Sequence, residues 1–124
     1  MNNDIFLKQA KVVKEFVSLY YKQLNAKELS IQTLYATTAQ VLMNGIPQAS
    51  IEAFLKEIMG NDIHLQADII DHQVIMTDNI NISSMIITVR GSPSMNNTPF
   101  SQTFILSSQN GGGYLIEADR LSFK

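Results

Sequence analysis

The sequence predicts a single α+β domain, in which a bent antiparallel sheet wraps around a long N-terminal helix with two shorter helices beside it. Three observations predict this fold. Apolar residues recur every three or four positions near the start of the chain, alternating apolar and polar residues fill its second half, and short turn signals separate the alternating segments. Strands joined by short hairpins form an antiparallel sheet with its helices on one face. The 124 residues suit one domain over residues 1–124.

The composition favours an intracellular protein and excludes several kinds of site. The chain has no cysteine, so neither disulfides nor thiolate metal sites are possible. Residues 1–4 lack the charge and the apolar run of a signal peptide, and no apolar stretch reaches the roughly 20 residues that span a bilayer, so no membrane contact is expected. Basic residues are scattered apart from Lys8, Lys11 and Lys14, and the net charge is −2. Direct binding to nucleic acid is therefore not expected.

The first helix is predicted from Phe6 to Leu24, with Asp4 as its cap. Its apolar residues are spaced three or four apart over about five turns, as on the buried side of an amphipathic helix. This stripe predicts a helix that packs along the sheet. Its members are Phe6, Ala10, Val13, Phe16, Val17, Tyr20, Tyr21 and Leu24.

Two further helices and one strand are predicted before the second half of the chain. A short helix is expected over residues 31–35, with Ser30 as its cap. Residues 40–43 form a predicted strand that Asn44-Gly45 closes with a turn. Ser50 is expected to cap the third helix, which ends at Gly60 and carries four apolar residues on one side: Ile51, Phe54, Leu55 and Ile58.

The second half of the chain is predicted to form four strands joined by hairpins. Residues 63–69 alternate, and the alternation slips at Ile69-Ile70, which predicts a bulge and a bend. The other strands are residues 82–89, 100–106 and 114–123, separated by turns or loops at 77–79, 91–99 and 109–113. Residues 85–89 are apolar on both sides of the strand, so a partner is expected on the sheet face that the helices leave open.

The order of several short motifs resembles the nuclear transport factor 2 superfamily, and within it the small subunit of the TAP-type mRNA export heterodimer. The resemblance runs from about Lys8 to the last residue and implies a cone with one open end. Each motif is unspecific alone, and their order and spacing carry the resemblance. The motifs are Glu15-Phe16-Val17, Tyr20-Tyr21, Leu34-Tyr35, Asn44-Gly45, Asp71-His72-Gln73, Phe100 to Leu106, Ala118-Asp119 and Phe123.

Two members of the superfamily imply different partners. Nuclear transport factor 2 itself is a homodimer that carries the GDP form of the small GTPase Ran. Its contacts with Ran use an acidic residue where this chain has Asn44, and acidic residues in the loop that matches Gly91 to Pro99, which holds no carboxylate here. Loss of buried charges that pair with a partner costs several kcal/mol, so Ran binding is not expected. The Ran carrier is therefore the alternative hypothesis and not the leading one. Asn44-Gly45 instead resembles the export subunit.

The resemblance to the export subunit implies a heterodimer. That subunit packs its sheet against the similar domain of a large mRNA export factor, and the pair passes through nuclear pores with mRNA. The chain would then occur in nucleus, cytoplasm and nuclear pore, would meet Phe-Gly nucleoporins through the complex, and would need no cofactor. Residues two apart on a strand share a face, so the outward side of the last three strands is expected to supply the contacts: Thr88, Arg90, Ser101, Thr103, Ile105, Arg120 and Ser122.

This chain departs from the export subunits at one interface position. The family usually has an arginine where Ser122 stands, paired with a carboxylate of the partner. The nearest arginine here is Arg120, which is one step earlier on the same face. Either the salt bridge has moved to Arg120 or the partner differs.

Isomerases and dehydratases that share the cone provide a third hypothesis. Their acid–base groups would be Asp71, His72 and Asp119, with Tyr20 or Tyr35 as hydroxyl donors. Such a site needs a carboxylate or imidazole whose pKa is near neutrality, beside a hydrogen-bond donor. We expect instead that the two aspartates bond to backbone at bends and turns, and that the chain is not an enzyme.

Metal and phosphate sites are not expected. His64 and His72 are the only histidines, and on a straight strand they lie about 26 Å apart. Residues 111–113 are three glycines without the following helix that a phosphate loop requires. These glycines are predicted to form a hairpin turn.

Overall fold

The computed structural model describes residues 2–60, 64–78, 81–93, 98–109 and 112–123. Helices come first and a run of four strands comes last, so the predicted α+β class is confirmed. None of the helices in these ranges is both long and apolar enough to cross a bilayer. The elements are α1 (Asn2–Asn25), a 3₁₀ helix (Leu29–Leu34), β1 (Tyr35–Met43), β2 (Ile46–Pro47), α2 (Ile51–Gly60), β3 (Leu65–Asp78), β4 (Asn81–Pro93), β5 (Phe100–Ser108) and β6 (Tyr114–Phe123).

Helix α1 packs on the sheet through its predicted apolar stripe. The side chains of residues 2–6 lie outside the described part, so Phe6 and the cap Asp4 are not assessed. From Val13 onward, the stripe joins residues of α2 and of the strands in one hydrophobic core. The fully or almost fully buried members on α1 are Val13, Val17, Tyr20, Tyr21 and Leu24.

The second helix differs from the prediction in type and in cap. It is a 3₁₀ helix that begins after Glu28, whose side chain makes no capping hydrogen bond. Ser30 lies within its first turn, where its carbonyl accepts a hydrogen bond from the Thr33 hydroxyl. Tyr35 is the first residue of β1, so few residues separate α1 from the sheet. A 3₁₀ turn fits this short connection because it is the tighter helix and is used in short pieces.

The sheet is mixed, which corrects the expectation of wholly antiparallel strands. Its order is β2-β1-β6-β5-β4-β3. Strand β1 runs parallel to β6, and all other neighbouring pairs are antiparallel. The cause is the path of the chain: α2 carries it from β1 to the far edge at β3, and three successive hairpins then return it to β1.

Three local turn and cap predictions are confirmed. Asn44 and Gly45 have φ angles of 52° and 82° and join β1 to β2, as in a primed hairpin turn. The Ser50 hydroxyl oxygen accepts a hydrogen bond of 3.0 Å from the Ala53 backbone N–H at the start of α2. The hairpin between β5 and β6 closes with a 3.0 Å hydrogen bond from the Gln109 N–H to the Gly113 carbonyl.

The bulge in β3 lies one residue earlier than predicted. The register with β4 shifts between Ala67 and Ile69, so Asp68 is the extra residue. A Cβ on Gly91, the residue that pairs with Ala67, would lie 1.8 Å from the Gln66 carbonyl oxygen; the close approach of β3 and β4 therefore requires glycine. Predicted positions 63, 79 and 94–97 lie outside the described residues.

Candidate functional site

The outer side of β4, β5 and β6 carries the first candidate site. Its residues pair across the three strands in rows. The seven predicted interface residues all fall within these rows. All the residues of the rows lie on the same side of the sheet. We call the nine residues of the rows the outer face: Ile86–Ile105–Ala118, Thr88–Thr103–Arg120 and Arg90–Ser101–Ser122.

The two sides of these strands differ sharply in burial. Arg90 and Arg120 are exposed, and the other seven residues of the outer face are half-buried. Ile69 on β3, which pairs with Arg90, extends the outer face and is 55% exposed. On the opposite side of the strands, most side chains are at most 2% exposed, and Phe123 at the end of β6 is half-buried. The buried residues of this side include Met85, Ile87, Val89, Phe100, Gln102, Phe104 and Leu106.

The alternation therefore confirms which side each predicted interface residue occupies. The strands bury one side under the helices and leave the other to solvent. Whether the outer face binds a partner stays a prediction.

A small pocket lies at one corner of the outer face. It has a volume of about 220 Å³ and is lined by Arg90, Ser101 and Ser122 together with Gly91, Pro99 and Phe100. The pocket combines a guanidinium group with two hydroxyl groups and an apolar wall. Such a lining suits a carboxylate-bearing side chain of a partner, because an arginine–carboxylate pair can form two parallel hydrogen bonds.

A buried polar cluster on the inner side of the sheet is the second candidate site. Asp119 accepts hydrogen bonds from the Tyr35 hydroxyl at 2.6 Å and from Gln102 Nε2 at 2.9 Å. The Tyr20 hydroxyl lies 2.7 Å from that of Tyr35 and 3.4 Å from Asp119 Oδ2. The Tyr21 hydroxyl donates to Gln102 Oε1 at 2.6 Å. We call these five residues the buried cluster.

Every polar group of the buried cluster has a partner. Because the Tyr35 proton points to Asp119, the Tyr20 proton is shared between the Tyr35 oxygen at 2.7 Å and Asp119 Oδ2 at 3.4 Å. Gln102 Nε2 then donates both to Asp119 and, over 3.2 Å, to the Tyr20 oxygen. All the hydrogen-bond donors to Asp119 are neutral, so its negative charge is balanced by dipoles alone.

Burial sets the protonation of the buried cluster. Burial raises the pKa of the Asp119 carboxyl from 3.8 to about 6, while hydrogen bonds from Tyr35, Gln102 and Tyr20 oppose the rise. Burial, reinforced by the charge of Asp119, raises the pKa of the Tyr20, Tyr21 and Tyr35 hydroxyls well above 10.0, so they stay donors at neutral pH. Chemically, the cluster is a carboxyl of near-neutral pKa beside tyrosine donors.

The structure brings together only some of the predicted acid–base residues. Asp119, Tyr20 and Tyr35 meet in the buried cluster, and Asp119 bonds to side chains, so the expectation that it bonds to backbone was wrong. Asp71 is exposed on the outer side of β3, opposite Thr88. His72 is half-buried on the inner side of β3, where it lines a groove together with Tyr21. Within the described ranges, no three histidine or acidic side chains are placed to hold a metal ion.

Tyr21 and Gln102 are members of the buried cluster that the sequence analysis did not identify as site residues. Gln102 is 0% exposed and lies between Phe100 and Phe104 on the inward side of β5. A glutamine between two inward phenylalanines is the signal that could have found it, because a buried amide needs hydrogen-bond partners.

Asn44 has a structural role in this chain. Its side-chain Oδ1 accepts a 2.8 Å hydrogen bond from the Phe123 N–H, and its own N–H donates to the Leu121 carbonyl at 2.8 Å. The hairpin of β1 and β2 is thereby attached to β6. Asn44 thus fixes the end of the sheet.

The pKa of Asp119 predicts a specific pH dependence of stability. Between pH 3.8 and 6 the folded protein holds a proton that the unfolded chain has lost, so this residue contributes most stability at low pH and the contribution falls as pH rises through 6. A pKa difference of about 2 corresponds to about 3 kcal/mol. Relative to wild type, Asp119→Asn is therefore expected to gain about 3 kcal/mol between pH 4 and 7.5.

Urea unfolding of both proteins across this pH range measures the effect. Subtracting the two curves cancels the titration of the other carboxylates. A constant difference between the two proteins would contradict the assignment of this proton to Asp119.

The family model of the nuclear transport factor 2 (NTF2) domain matches residues 12–123. Nuclear transport factor 2 from Cryptosporidium parvum superimposes with a TM-score of 0.73 at 18% identity, covering 93% of this chain and 94% of that one. A structure of the complex of the yeast deubiquitinase Ubp3 and the Bre5 cofactor superimposes with a TM-score of 0.70 at 21% sequence identity. The match covers 93% of this chain and 96% of that one. The hexachlorocyclohexane dehydrochlorinase LinA-type3 from Novosphingobium barchaimii superimposes with a TM-score of 0.71 at 8% sequence identity. The match covers 100% of this chain and 91% of that one.

At these low identities the solved structures establish a shared fold and nothing further. No curated protein sequence matches the chain significantly. The family model, by contrast, matches most of the chain, from the middle of α1 to the end of β6. The chain therefore belongs to the nuclear transport factor 2 domain family.

Proposed function

We propose that the chain is a non-catalytic binding subunit whose outer face packs against the sheet of a second, similar domain. The observation that carries this proposal is the outer face itself. Three complete rows of paired side chains lie opposite the helices, and this chain's described residues provide no cover for them. A sheet face that mixes apolar and polar side chains over three strands is suited to a partner of matching shape.

The charges of the outer face favour a different chain as partner over a second copy. Arg120 lies in the middle row, beside Thr103. A symmetric dimer packs the same patch against itself, so an axis near the middle row would place two Arg120 guanidinium groups together. Like charges across an interface cost several kcal/mol. A partner with carboxylates opposite Arg120 and Arg90 avoids this cost.

The partner that fits best is the similar domain of a large mRNA export receptor, with which the chain would pass through nuclear pores. The resemblance to the small export subunit supports this identity, and the family match supports the fold on which it depends. The complex of Ubp3 with Bre5 shows that a chain of this fold serves elsewhere as a cofactor in a complex. The chain would occur in nucleus and cytoplasm and reach Phe-Gly nucleoporins through the complex.

A homodimeric carrier of Ran-GDP has less support. It would need an acidic residue at Asn44, whose side chain here holds the N–H of Phe123. The loop after β4 also has no carboxylate from Gly91 to Pro99.

A small-molecule enzyme is the second candidate, because the buried cluster pairs a carboxyl of near-neutral pKa with tyrosine hydroxyls. A substrate must reach such groups, and Asp119, Tyr20 and Gln102 are each 0% exposed. Their hydrogen bonds are also satisfied within the cluster. These two properties favour a structural role for the cluster, as a polar network that fixes one arrangement of the core.

The test is the mass of the chain in solution, alone and with the matching domain of a large export factor. We expect 13.9 kDa alone and a one-to-one complex after mixing, measured by light scattering during gel filtration. A stable particle of twice that mass that does not bind the export factor would contradict the proposal and favour the carrier and enzyme hypotheses.

A further inference from the structure

An open groove between α1 and β3 shares no residue with the outer face and only Tyr21 with the buried cluster. Its volume is about 440 Å³. Its floor is apolar: Val13 and Val17 of α1 are buried, and Ala67 of β3 is half-buried. The lining residues are Ala10, Val13, Lys14, Val17, Ser18, Tyr21, Ala67, Ile70 and His72.

The charge of the groove has one sign. Lys14 on α1 is the one charged side chain among the lining residues of the groove, which include no carboxylate, and His72 on β3 forms part of the opposite wall. Lys11 is exposed and precedes Lys14 by three positions, so the two lysines are neighbours on the helix surface. Glu15 is exposed next to Lys14 and four positions after Lys11, but it does not line the groove, so the charge that faces the groove itself is that of Lys14.

Exposed apolar side chains extend the groove along the helix. Leu7 is 64% exposed and Ile70 is 41% exposed. Leu7 is four residues before Lys11 and seven before Lys14, which places all three on one side of α1. From Leu7 to Tyr21 the helix rises about 21 Å. An extended peptide of about six residues spans the same length.

We propose that this groove binds a short linear segment of another protein, in which apolar side chains alternate with carboxylates. The apolar side chains would occupy the floor over Val13, Val17 and Ala67. The carboxylates would lie beside Lys11 and Lys14. A long, open, one-sided channel fits a peptide better than a compact small molecule, which would be enclosed on most sides.

The groove and the outer face can be occupied together. Ile70 and His72 pair with Val89 and Ile87, whose side chains are buried on the inner side of the sheet. The outer face, which begins at Ile86 and Thr88 of the same strand, points the other way. A partner on the outer face therefore leaves the groove open, and failure of either proposal would leave the other standing.

The first experiment measures fluorescence anisotropy with labelled ten-residue peptides. The probe alternates aspartate and leucine. One control peptide has lysine in place of aspartate, and the other has serine in place of leucine. We expect the probe to bind at least about tenfold more tightly than either control, and to weaken as salt rises, because the groove is apolar and exposed charges are screened.

Variants of the chain locate the binding. Lys14→Glu is expected to weaken the probe about tenfold, since it reverses a charge on the groove wall. Lys56→Glu is the matched control: the same change at an exposed lysine of α2, a helix that contributes no lining residue to the groove, with an effect below about twofold. Ile70→Asp tests the β3 wall without touching the core, because Ile70 is 41% exposed. Circular dichroism confirms the fold of each variant.

Three results would overturn the proposal. The lysine peptide could bind as tightly as the aspartate peptide, or Lys14→Glu and Lys56→Glu could weaken the probe equally. In the third result, none of the peptides binds, whereas vesicles of phosphatidylserine and phosphatidylcholine bind the wild-type protein but not the Lys14→Glu variant. This result would assign the lysines to contact with a membrane surface instead.

Discussion

Replacing Phe104 by alanine is expected to lower the free energy of unfolding by about 3–5 kcal/mol, as found for buried phenylalanines. Phe104 is 0% exposed. Its ring lies 5.0 Å from that of Phe16, 4.8 Å from that of Tyr20 and 6.4 Å from that of Tyr21, measured between centroids. The substitution removes these contacts and leaves a cavity beside the tyrosines of the buried cluster. Urea unfolding followed by circular dichroism measures the change.

The neighbouring residue provides the matched control. Ile105 is half-buried on the outer face, so Ile105→Ala is expected to cost the isolated chain less than about 1.5 kcal/mol and to weaken partner binding instead. Adjacent positions on one strand should thus separate stability from binding. Equal destabilisation by the two substitutions would show that the assignment of the two faces of β5 is wrong.

Reversing the charge of Arg120 is expected to prevent assembly with the partner while leaving the fold intact. Arg120 is exposed in the isolated chain, and surface substitutions of this kind change stability by no more than about 0.5 kcal/mol. At the centre of the interface, loss of a desolvated arginine costs about 2 kcal/mol or more, roughly thirtyfold in Kd, and the new carboxylate adds repulsion. Co-purification with the full-length export factor and titration calorimetry measure the loss.

Lys8→Glu is the control for Arg120→Glu. It makes the same change of charge on α1, on the other side of the sheet from the outer face, and should bind the partner like wild type. If the Arg120→Glu protein still co-purifies with the full-length partner, the outer face is not the interface, or Arg120 is not near its centre. Thr103→Arg, in the same row, then distinguishes the two explanations.

Local patterns in the sequence predicted the helices and the faces of the strands well. The apolar stripe of α1, the Ser50 cap and the Asn44-Gly45 turn depend on residues a few positions apart, which interact in the same way in most contexts. Strand alternation identified the outer face for the same reason, because a residue's side of the sheet follows from its parity alone. The 3₁₀ helix was misjudged since its form depends on how soon Tyr35 must enter the sheet.

The buried cluster could be predicted only in part. The sequence analysis selected Asp119, Tyr20 and Tyr35 as potential acid–base groups but grouped them with Asp71 and His72, which the structure places elsewhere. Tyr35 and Asp119 are 84 residues apart in sequence. Their contact requires β1 to lie beside β6, and periodicity within either strand contains no information on that pairing.

The sequence by itself determined the α+β class, the family resemblance and seven of the nine residues of the outer face, because each follows from local spacing or from motif order. Only the tertiary structure decided that β1 runs parallel to β6, that Gln102 and Tyr21 complete the network around Asp119, and that α1 and β3 line an open groove beside Lys14. These features join residues distant in sequence. Their geometry is set by the path of the whole chain through α2 and the three hairpins, and by the burial that this path imposes.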